Sequence, residues 1–403
     1  MKCRSTGVDI PRIITYGQQP LGNGFLDKPD IEDEYFFEMA VGVNSDIALL
    51  QLEVQPNPEQ MFHENYAFYS RTSNFMVNHF NETADEIIEI LEEDFSKDND
   101  KFVVEIGSND GVMLEHIVKK GIDCLGVEPS ENVAKISNQY GIETISEFFS
   151  TELSDKILES HKNANVVYAA NVFCHIPEIN DLAEACSNLL KDNGYLIFED
   201  PYLGDVIEKV SYDQIYDEHV YLFSCNSIKS IFAKYGLKLV KCKHLSTHGG
   251  SMRYYLKKNM DSDESPSLIK QLNHEDHLGM LSIEAYQKFA ERCEVTRIGF
   301  KDRLIKAKEN NKRVIGYGAT SKSTTILNYC DVGPDLIEFI TDTTPTKIGK
   351  FTPGKHIPVK SYNHFEPHPD LAVLFAWNHK KEILAKESNY KGEWMTHLYE
   401  EYV

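Results

Sequence analysis

The pattern that most limits the fold is a strand–glycine loop–helix unit that occurs twice in the 403 residues. The first copy is FVVEIGSNDGVML at residues 102–114, and the second is VIGYGATSKSTTIL at residues 314–327. Short apolar strands that alternate with helices over short connections indicate parallel sheets with helices on their faces. Because the chain is too long for one ordinary core, we predict two Rossmann-like units rather than one.

Three segments follow from this pattern and its surroundings. Residues 1–82 alternate turns with short apolar runs, and residues 83–257 contain successive strand–helix units. Residues 258–403 begin with a polar stretch at helical spacing and continue into the second glycine loop. We therefore predict an α/β fold with a small N-terminal β-containing domain, a central Rossmann-like domain, and a C-terminal helical linker followed by a second Rossmann-like domain.

Charge and cysteine content limit the partners and the compartment. The net charge of -22 disfavours nucleic-acid backbones and anionic membranes as main partners. The eight cysteines form no Cys-x-x-Cys pair, which is typical of a reduced, cytosolic protein without a disulfide framework. The first ten residues lack the apolar run of a signal peptide, and no apolar run is long enough for a transmembrane helix. We predict a cytoplasmic protein that binds neither nucleic acid nor a membrane.

Acidic residues surround the first glycine loop. Glu105 lies in the preceding strand, Asp110 lies in the loop, and Glu128 ends the next strand, where a doubly wound sheet holds ribose hydroxyls. The loop GSNDG at 107–111 lacks the G-x-G-x-x-G spacing that a dinucleotide pyrophosphate needs. Acidic flanks favour a cationic ligand without phosphate, such as S-adenosylmethionine, over NAD. The alternative is that Glu105 and Asp110 only cap or solvate the turn.

Polar residues also follow two later strands of the central segment. Asn171 and His175 lie at or just past the end of an apolar strand, at the edge where such sheets bind ligands. His248 lies at a Gly-Gly turn before the last strand of this segment. We treat His248 as a candidate substrate contact, and the alternative is an ordinary loop histidine.

The stretch SYDQIYDEHVYLFSC at 211–225 has the densest proton-transfer chemistry in the chain. Tyr216, Glu218, His219 and Tyr221 lie within six positions, and each can donate, accept or move a proton. Few short segments combine so many such groups. We predict that the ligands of the two glycine loops meet at this stretch.

An aromatic and polar run at 61–73 precedes the central segment. Composition alone favours a small β unit with a covering loop. The alternative is that Tyr66, Tyr69 and Ser70 contact the substrate at a seam between domains, and we retain all three as candidate substrate contacts.

The second glycine loop is rich in hydrogen-bond donors. Ser, Thr and Lys side chains at a helix N-terminus are typical of phosphate sites. The nearby cluster of Lys347, Lys350 and Lys355 suggests a pyrophosphate, because the protein as a whole is acidic. The alternative is that these lysines are solvated surface residues. The candidate substrate contacts are Gly318, Ala319, Ser321, Lys322, Ser323, Asp342, Lys347, Lys350 and Asn378.

Several long motifs, in order and over nearly the whole chain, resemble those of one family. This is the three-domain, S-adenosylmethionine-dependent C-methyltransferases that act on keto-deoxysugar nucleotides. The motifs are VEIGSNDG (104–111), GVEPSENVA (126–134), NVFCHIPEINDL (171–182), IYDEHVYLFS (215–224), THGGSMR (247–253) and the C-terminal VIGYGATSKSTTILNYC (314–330) with the stretch at 334–359. The resemblance implies a cofactor site made of Glu105, Gly107, Asn109, Asp110, Glu128, Pro129, Asn171 and His175.

One departure from the family concerns its N-terminal zinc module, which usually holds two cysteine pairs. Here Cys3 is present, but Thr6 occupies the position of its partner. Asn44, Ser45 and Asp46 occupy the region of the second pair. Because a tetrahedral zinc site needs four suitable ligands, we predict no zinc and no other metal in this chain.

The resemblance also implies a reaction. A sugar ring carbon becomes acidic only next to a carbonyl, so the substrate should be a small nucleotide-linked 4-keto sugar that is methylated at C-3. His219 is the predicted general base, Glu218 would orient it or contact the substrate, and Tyr216 would donate to the developing enolate. The family loop often has Ala and Gly where residues 319–323 differ here, which leaves the nucleotide base open.

Two alternative functions remain at this stage. One is an O- or N-methyltransferase acting on a nucleotide-sugar, which needs no enolate. The other is a non-catalytic homologue that holds a nucleotide-sugar without turnover. The sequence leaves the oligomeric state undetermined.

Overall fold

The computed structural model describes residues 1–28, 34–56 and 69–398, which form three sheets with associated helices. The described helices are α1 (Asn74–Glu93), α2 (Val112–Val118), α3 (Glu131–Gln139), α4 (Thr151–Ser160), α5 (Ile179–Leu189), α6 (Leu203–Lys209), α7 (Cys225–Phe232), α8 (Pro266–His277), α9 (Ile283–Glu309), α10 (Ser321–Tyr329) and α11 (Lys380–Lys386). The described strands are β1 (Arg12–Pro20), β2 (Phe36–Asn44), β3 (Leu49–Leu52), β4 (Phe102–Ile106), β5 (Asp123–Val127), β6 (Thr144–Ile145), β7 (Ala164–Ala170), β8 (Leu190–Pro201), β9 (Tyr221–Leu222), β10 (Lys238–Leu245), β11 (Ser251–Lys257), β12 (Val314–Tyr317), β13 (Ile340–Asp342), β14 (Val359–Ser361), β15 (Leu371–Leu374) and β16 (Glu393–Met395).

The N-terminal sheet is antiparallel and has the order β1-β2-β3-β9. Its fourth strand comes from the stretch 211–225, because Leu222 pairs with Leu50 and Tyr221 pairs with Gln51. The N-terminal sheet therefore holds one end of the predicted catalytic stretch.

The central sheet has seven strands in the order β10-β11-β8-β7-β4-β5-β6. Strands β4 to β8 are parallel, and β11 runs antiparallel between β8 and β10. The strands β4, β5 and β7 consist largely of buried residues, as expected for strands covered by helices on both faces. The strand order reverses at β4, so the loops after β4 and β7 border the crevice where ligands of such sheets bind.

The C-terminal sheet is parallel, with the order β14-β13-β12-β15-β16. Its order reverses at β12, directly before the second glycine loop. The long helix α9 precedes it, as the helical spacing predicts. One hydrophobic core contains side chains from β1 and β2, from α9 and from the C-terminal sheet, so the first and last parts of the chain pack together.

The predicted α/β class with two Rossmann-like units is confirmed, and several strands begin within a residue or two of the predicted positions. The boundary of the first domain at residue 82 stays a prediction, as do those at 257 and 258. Helix α1 begins at Asn74 and shares a core with β4, while β9 belongs to the N-terminal sheet. Among the described residues, no helix is long and apolar enough to cross a bilayer.

Candidate active site

A cavity of about 1140 Å³ lies where the three sheets meet. Its wall includes residues from the loop after β1, from the carboxyl edge of the central sheet, from the stretch 211–225, and from the second glycine loop. The predicted site residues in this wall are Ser70, Glu105, Gly107, Asn109, Glu128, Pro129, Asn171, His175, Tyr216, Glu218, His219, His248, Ser321, Lys322, Lys347, Lys350 and Asn378. Tyr66 lies outside the described residues.

The first glycine loop packs closely against the chain just after β7, the strand beside β4 in the central sheet. Gly107 has a φ of +68°, and a Cβ added there would lie 2.3 Å from Cγ2 of Val172. Asn109 also has a positive φ, and its Oδ1 accepts a hydrogen bond from the Ser70 backbone N–H at 2.9 Å. Only a glycine at position 107 lets the loop approach β7 this closely.

The end of the cavity at the first glycine loop is acidic and contains buried hydrogen-bond acceptors. Oε2 of Glu105, Oγ of Ser108 and Oδ1 of Asp110 are buried without a hydrogen-bond partner among the residues that the structure describes. Burial raises the pKa of Glu105 well above its usual range, and the neighbouring charges of Asp110 and Glu128 add to this. A cation placed here would offset both effects, whereas a phosphate would be repelled.

Glu128 directly follows β5, which ends one residue before the predicted strand end, and its carboxylate is held by backbone N–H groups. Oε1 accepts a hydrogen bond from the Ser130 N–H at 2.8 Å, and Oε2 accepts one from the Asn109 N–H at 3.1 Å. Each carboxylate oxygen keeps further acceptor capacity for hydroxyl groups of a ligand. These residues therefore fit S-adenosylmethionine, which combines a sulfonium, an ammonium and a ribose.

His219 is buried in the cavity wall with its tautomer fixed. Its Nδ1 lies 2.7 Å from the Gln214 carbonyl oxygen, which can only accept, so Nδ1 carries the proton. Burial lowers the pKa of His219 well below its usual value, and the charge of Lys322 lowers it further. The imidazole is thus neutral near pH 7, with its basic lone pair on Nε2.

A phenol packs against this imidazole, and two buried carboxylates, Asp217 and Glu218, directly precede His219 in the chain. The Tyr216 ring lies 4.3 Å from the His219 ring, centroid to centroid. Burial raises the pKa of Glu218, although hydrogen bonds from Asn23 and Tyr216 oppose the shift. Burial, together with the charge of Glu218, also raises the pKa of Asp217 to about 7.

His175, Asn171 and His248 form another part of the wall. Nδ1 of His175 donates to the Glu218 carbonyl oxygen at 2.7 Å. Asn171 and His248 both have a φ of 54°, and the Asn171 amide donates to Nε2 of His248 at 3.2 Å. Burial lowers the pKa of His175 to about 4 and that of His248 to about 3, so both rings are neutral.

The opposite end of the cavity is cationic. Nζ of Lys322 donates to the His248 carbonyl oxygen at 3.3 Å, and Nζ of Lys347 donates to the Ala319 carbonyl oxygen at 2.9 Å. Burial lowers the pKa of both lysines, so each favours an anionic partner. Lys350 also lines the wall, but Lys355, which the sequence suggested as part of this basic cluster, pairs with Asp331 at 2.6 Å.

Seven of the predicted site residues that the structure describes do not line the cavity. They are Tyr69, Asp110, Tyr221, Gly318, Ala319, Ser323 and Asp342. Asp342 accepts the Ala319 N–H and the Thr344 N–H, so it shapes the second glycine loop. Ser323 Oγ donates to the Thr320 carbonyl oxygen, and Thr320 Oγ1 caps α10 by accepting the Ser323 N–H at 3.1 Å.

The other members of this group also have local partners. The phenol of Tyr221 donates to the Pro177 carbonyl oxygen at 2.6 Å, and Tyr69 Oη accepts from the Asn132 amide at 2.8 Å. Oδ2 of Asp110 accepts the Arg71 N–H at 3.0 Å. The Tyr221 phenol lies in the core and is already paired, so this geometry favours a structural role, and its contact with the substrate stays a prediction.

The residues at the positions of the family's zinc ligands contact one another, but they do not make up a set of zinc ligands. Nδ2 of Asn44 donates to Sγ of Cys3 at 3.4 Å and to Oγ1 of Thr6 at 3.2 Å, while Cys3 also contacts the Ser5 hydroxyl at 3.4 Å. One thiol with hydroxyl and amide groups does not fit a tetrahedral zinc site.

A separate group of potential metal ligands lies at the active site. Ligating atoms of Cys174, His175 and His219 lie within 4.8 Å of one another. Both imidazoles already donate Nδ1–H to backbone carbonyls. The prediction that the chain holds no metal stays a prediction.

Several residues of the cavity wall were not predicted from the sequence. Asn23 donates to Glu218 at 2.8 Å, and Phe25, Thr344, Thr346 and His379 also line the cavity. For residues 1–82 the sequence predicted a small β-containing domain, with no site residue before Tyr66. Because Asn23 and Glu218 are 195 positions apart, no local spacing could have linked them.

Comparisons with known proteins agree with this geometry. Residues 77–242 match a family model described as a methyltransferase domain, and residues 246–398 match one described as a C-methyltransferase C-terminal domain. The C-methyltransferase NovU of Streptomyces niveus is 30% identical over 393 residues, which cover 96% of this chain and 92% of that enzyme.

Other similarities are partial. A ubiquinone biosynthesis O-methyltransferase of Bordetella avium is 24% identical over 98 residues, which cover 24% of this chain and 41% of that enzyme. A SAM-dependent methyltransferase structure from Archaeoglobus fulgidus has a TM-score of 0.37 and 15% identity, covering 45% of this chain and 94% of that one. The match to NovU extends over nearly both chains. This chain therefore belongs to the family of S-adenosylmethionine-dependent C-methyltransferases that includes NovU.

Proposed function

We propose that this C-methyltransferase acts on a ring carbon next to the ketone of a nucleotide-linked deoxysugar, namely C-3 of a 4-keto sugar. The observation that carries the proposal is the position of a neutral, buried imidazole between an acidic and a cationic end of one cavity. An O-methyltransferase would also use a base on its hydroxyl substrate, so the choice of carbon rests on the similarity to C-methyltransferases over nearly the whole chain.

The acidic end would hold the cofactor. Glu128 would accept the ribose hydroxyls, Glu105 would face the positive charges, and the glycine at position 107 leaves room for the ligand against the backbone. Gly107, Asn109, Pro129, Asn171 and His175 complete the proposed cofactor site. When bound, S-adenosylmethionine supplies an electrophilic methyl group.

His219 would serve as the general base. Nε2 takes the ring proton, and the electron pair of the broken C–H bond moves onto the carbonyl oxygen as the enolate forms. The Gln214 carbonyl holds Nδ1–H and so keeps the ring in the tautomer that accepts at Nε2. The bond also stabilises the imidazolium that results from the proton transfer, as a hydrogen bond to the charged form does.

Tyr216 would stabilise the enolate oxygen, and Glu218 would bind a hydroxyl of the sugar. The Tyr216 phenol lies against the His219 ring and can donate to the enolate oxygen. Glu218 faces the same cavity and can accept from a sugar hydroxyl. The ring carbon would then form its new bond to the methyl group as the enolate electrons return to carbon, and the methyl–sulfur bond of the cofactor would break with its electron pair going to sulfur.

The cationic end would bind the nucleotide diphosphate. Lys322 and Lys347 are poorly solvated, and Ser321 and Thr320 lie at the N-terminus of α10. Lysine ammonium groups and hydroxyl donors at a helix start are suited to phosphate oxygens. Lys350, His248 and Asn378 complete the proposed substrate site.

The test uses methyl-labelled S-adenosylmethionine with a panel of 4-keto-6-deoxy sugar nucleotides in deuterated water. Wild type, His219→Ala and the exposed control His277→Ala are compared, and the products are analysed by mass spectrometry and NMR. We expect label on the ring carbon and a loss of roughly 10²–10⁴-fold in kcat for His219→Ala alone. Label on oxygen or nitrogen, or full activity of His219→Ala, would refute the proposal.

A further inference from the structure

We propose that Asn23, in the loop that follows β1, is a positioning residue that holds the Glu218 carboxylate in its working orientation. The inference rests on the proposed role of Glu218 at the active site. It also gives the N-terminal module a part in the reaction, although that module lacks the residues of a zinc site.

The side-chain amide of Asn23 is engaged at both ends. Nδ2 donates to Oε1 of Glu218 at 2.8 Å, and Oδ1 accepts a hydrogen bond from Nζ of Lys347 at 3.3 Å. Asn23 therefore connects the carboxylate beside the base to a lysine of the proposed phosphate site. Nζ of Lys347 also lies 4.5 Å from the centroid of the Phe25 ring, so the same loop contacts this lysine twice.

The loop is anchored tightly next to Asn23. The Gly22 N–H donates to Oδ1 of Asp217 at 3.0 Å, and Oγ1 of Thr324 donates to the Gly22 carbonyl oxygen at 2.8 Å. A Cβ added at Gly22 would lie 2.7 Å from Oδ1 of Asp217 and 3.5 Å from Cβ of Ser321. The close approach thus depends on glycine, and it fixes the direction of the Asn23 side chain.

Adjacent carboxylates make a donor at this position useful. Asp217 and Glu218 are both buried, and their mutual repulsion favours protonation of one of them. A hydrogen bond from a neutral amide favours the ionised Glu218 without adding a proton that the amide could lose. The other groups that act on Glu218 are the Tyr216 hydroxyl and the Lys347 ammonium, and His219 is the next residue.

The experiment compares Asn23→Ala, Asn23→Asp, Glu218→Gln and the exposed helix control Asn188→Ala in the full chain. Asn23→Asp retains an acceptor for Lys347 but cannot donate to Glu218, so it separates the two contacts. Asn23 is exposed, so neither substitution removes a core side chain. We measure kcat, KM for the keto-sugar nucleotide, the pH profile of kcat, and the Kd for S-adenosylmethionine.

We expect kcat to fall about 10- to 100-fold in both Asn23 variants, as for the loss of a hydrogen bond to a charged group. The limb of the pH profile that reports the carboxylate pair should move to higher pH, and further in Asn23→Asp, because a like charge raises the pKa of Glu218. The Kd for S-adenosylmethionine and the behaviour of Asn188→Ala should equal those of wild type.

Unchanged kcat and an unchanged pH profile in the Asn23 variants, together with a strong loss in Glu218→Gln, would overturn the positioning role but leave the proposed function intact. Full activity of Glu218→Gln would instead remove the proposed role of Glu218, and the inference about Asn23 with it. A rise in KM alone, without a change in kcat or in the pH profile, would also overturn the inference, because it would assign Asn23 to substrate binding through Lys347.

Discussion

Replacing Arg253 by methionine removes the centre of a buried charge network that links β11, β8 and α1. The guanidinium is 2% exposed. It donates to Oε2 of Glu199 at 2.8 Å, to Oε2 of Glu86 at 2.9 Å and to Oγ1 of Thr83 at 2.5 Å. Glu199 lies near the end of β8, while Glu86 and Thr83 belong to α1. Arg253 therefore joins that helix to the central sheet.

The loss in the free energy of unfolding depends on whether water can solvate each carboxylate once Arg253 is replaced. The Glu86 side chain is 28% exposed and can return to water, whereas that of Glu199 is 1% exposed and cannot. Removing one member of a buried pair costs about 3–5 kcal/mol in the free energy of unfolding. Because His79 remains bonded to Glu199, we expect the lower end of this range, about 3 kcal/mol, or roughly 6–12 °C in Tm for the central unit.

The pH dependence gives a second readout of the same network. Burial would raise the pKa of Glu199, but the bond from His79 and the charge of Arg253 outweigh it and hold the pKa below its usual value. The contribution of Glu199 is therefore complete at pH values above its unfolded pKa, near 4.3, and is lost as the pH falls through the folded pKa. The stability difference between wild type and Arg253→Met should be constant from about pH 6 to 8 and shrink below about pH 4.

Thermal and urea unfolding of wild type, Arg253→Met and Lys243→Met test this reasoning. Lys243 pairs with the same Glu86 from an exposed position, so its loss should cost no more than about 1 kcal/mol. Equal effects of the two substitutions, or a loss below about 1 kcal/mol for Arg253→Met, would show that burial does not govern this network.

Two further predictions concern the cofactor and the metal. Gly107→Ala should raise the Kd for S-adenosylmethionine about 10-fold or more, because the new methyl group meets Val172 and φ is +68°, while Gly121→Ala, at a φ of +76° with open space around it, should leave that Kd unchanged. Metal analysis of the purified chain should find well under one zinc per chain, and EDTA should not lower activity; a stoichiometric metal would show that Cys174, His175 and His219 or another set of ligands holds one.

The parts of the site that sequence analysis located are those set by local pattern. Glu105 lies in β4, which an apolar run defines, and Glu128 and Asn171 directly follow β5 and β7. The carboxyl ends of parallel strands meet at one edge of a sheet, so these residues converge once the strand–helix alternation is recognised. The same reasoning placed Ser321 and Lys322 at the start of α10.

Tyr216 and Tyr221 show where local pattern stops being informative. Both belong to one dense motif, yet Tyr216 faces the cavity, whereas Tyr221 lies in a strand that pairs with Gln51 of the N-terminal sheet. The direction of each side chain depends on that pairing, which joins segments about 170 positions apart. A motif alone does not contain this information.

The sequence by itself therefore determined the α/β class, the two glycine loops, and the chemistry of the stretch with His219. Only the tertiary structure decided that one cavity joins these loops, that Asn23 bonds to Glu218, and that Cys3, Thr6 and Asn44 hydrogen-bond to one another. The physical reason is the separation along the chain of the residues that interact. Strands, helices and caps follow from neighbours a few positions apart, whereas contacts between modules depend on how whole hydrophobic faces pack.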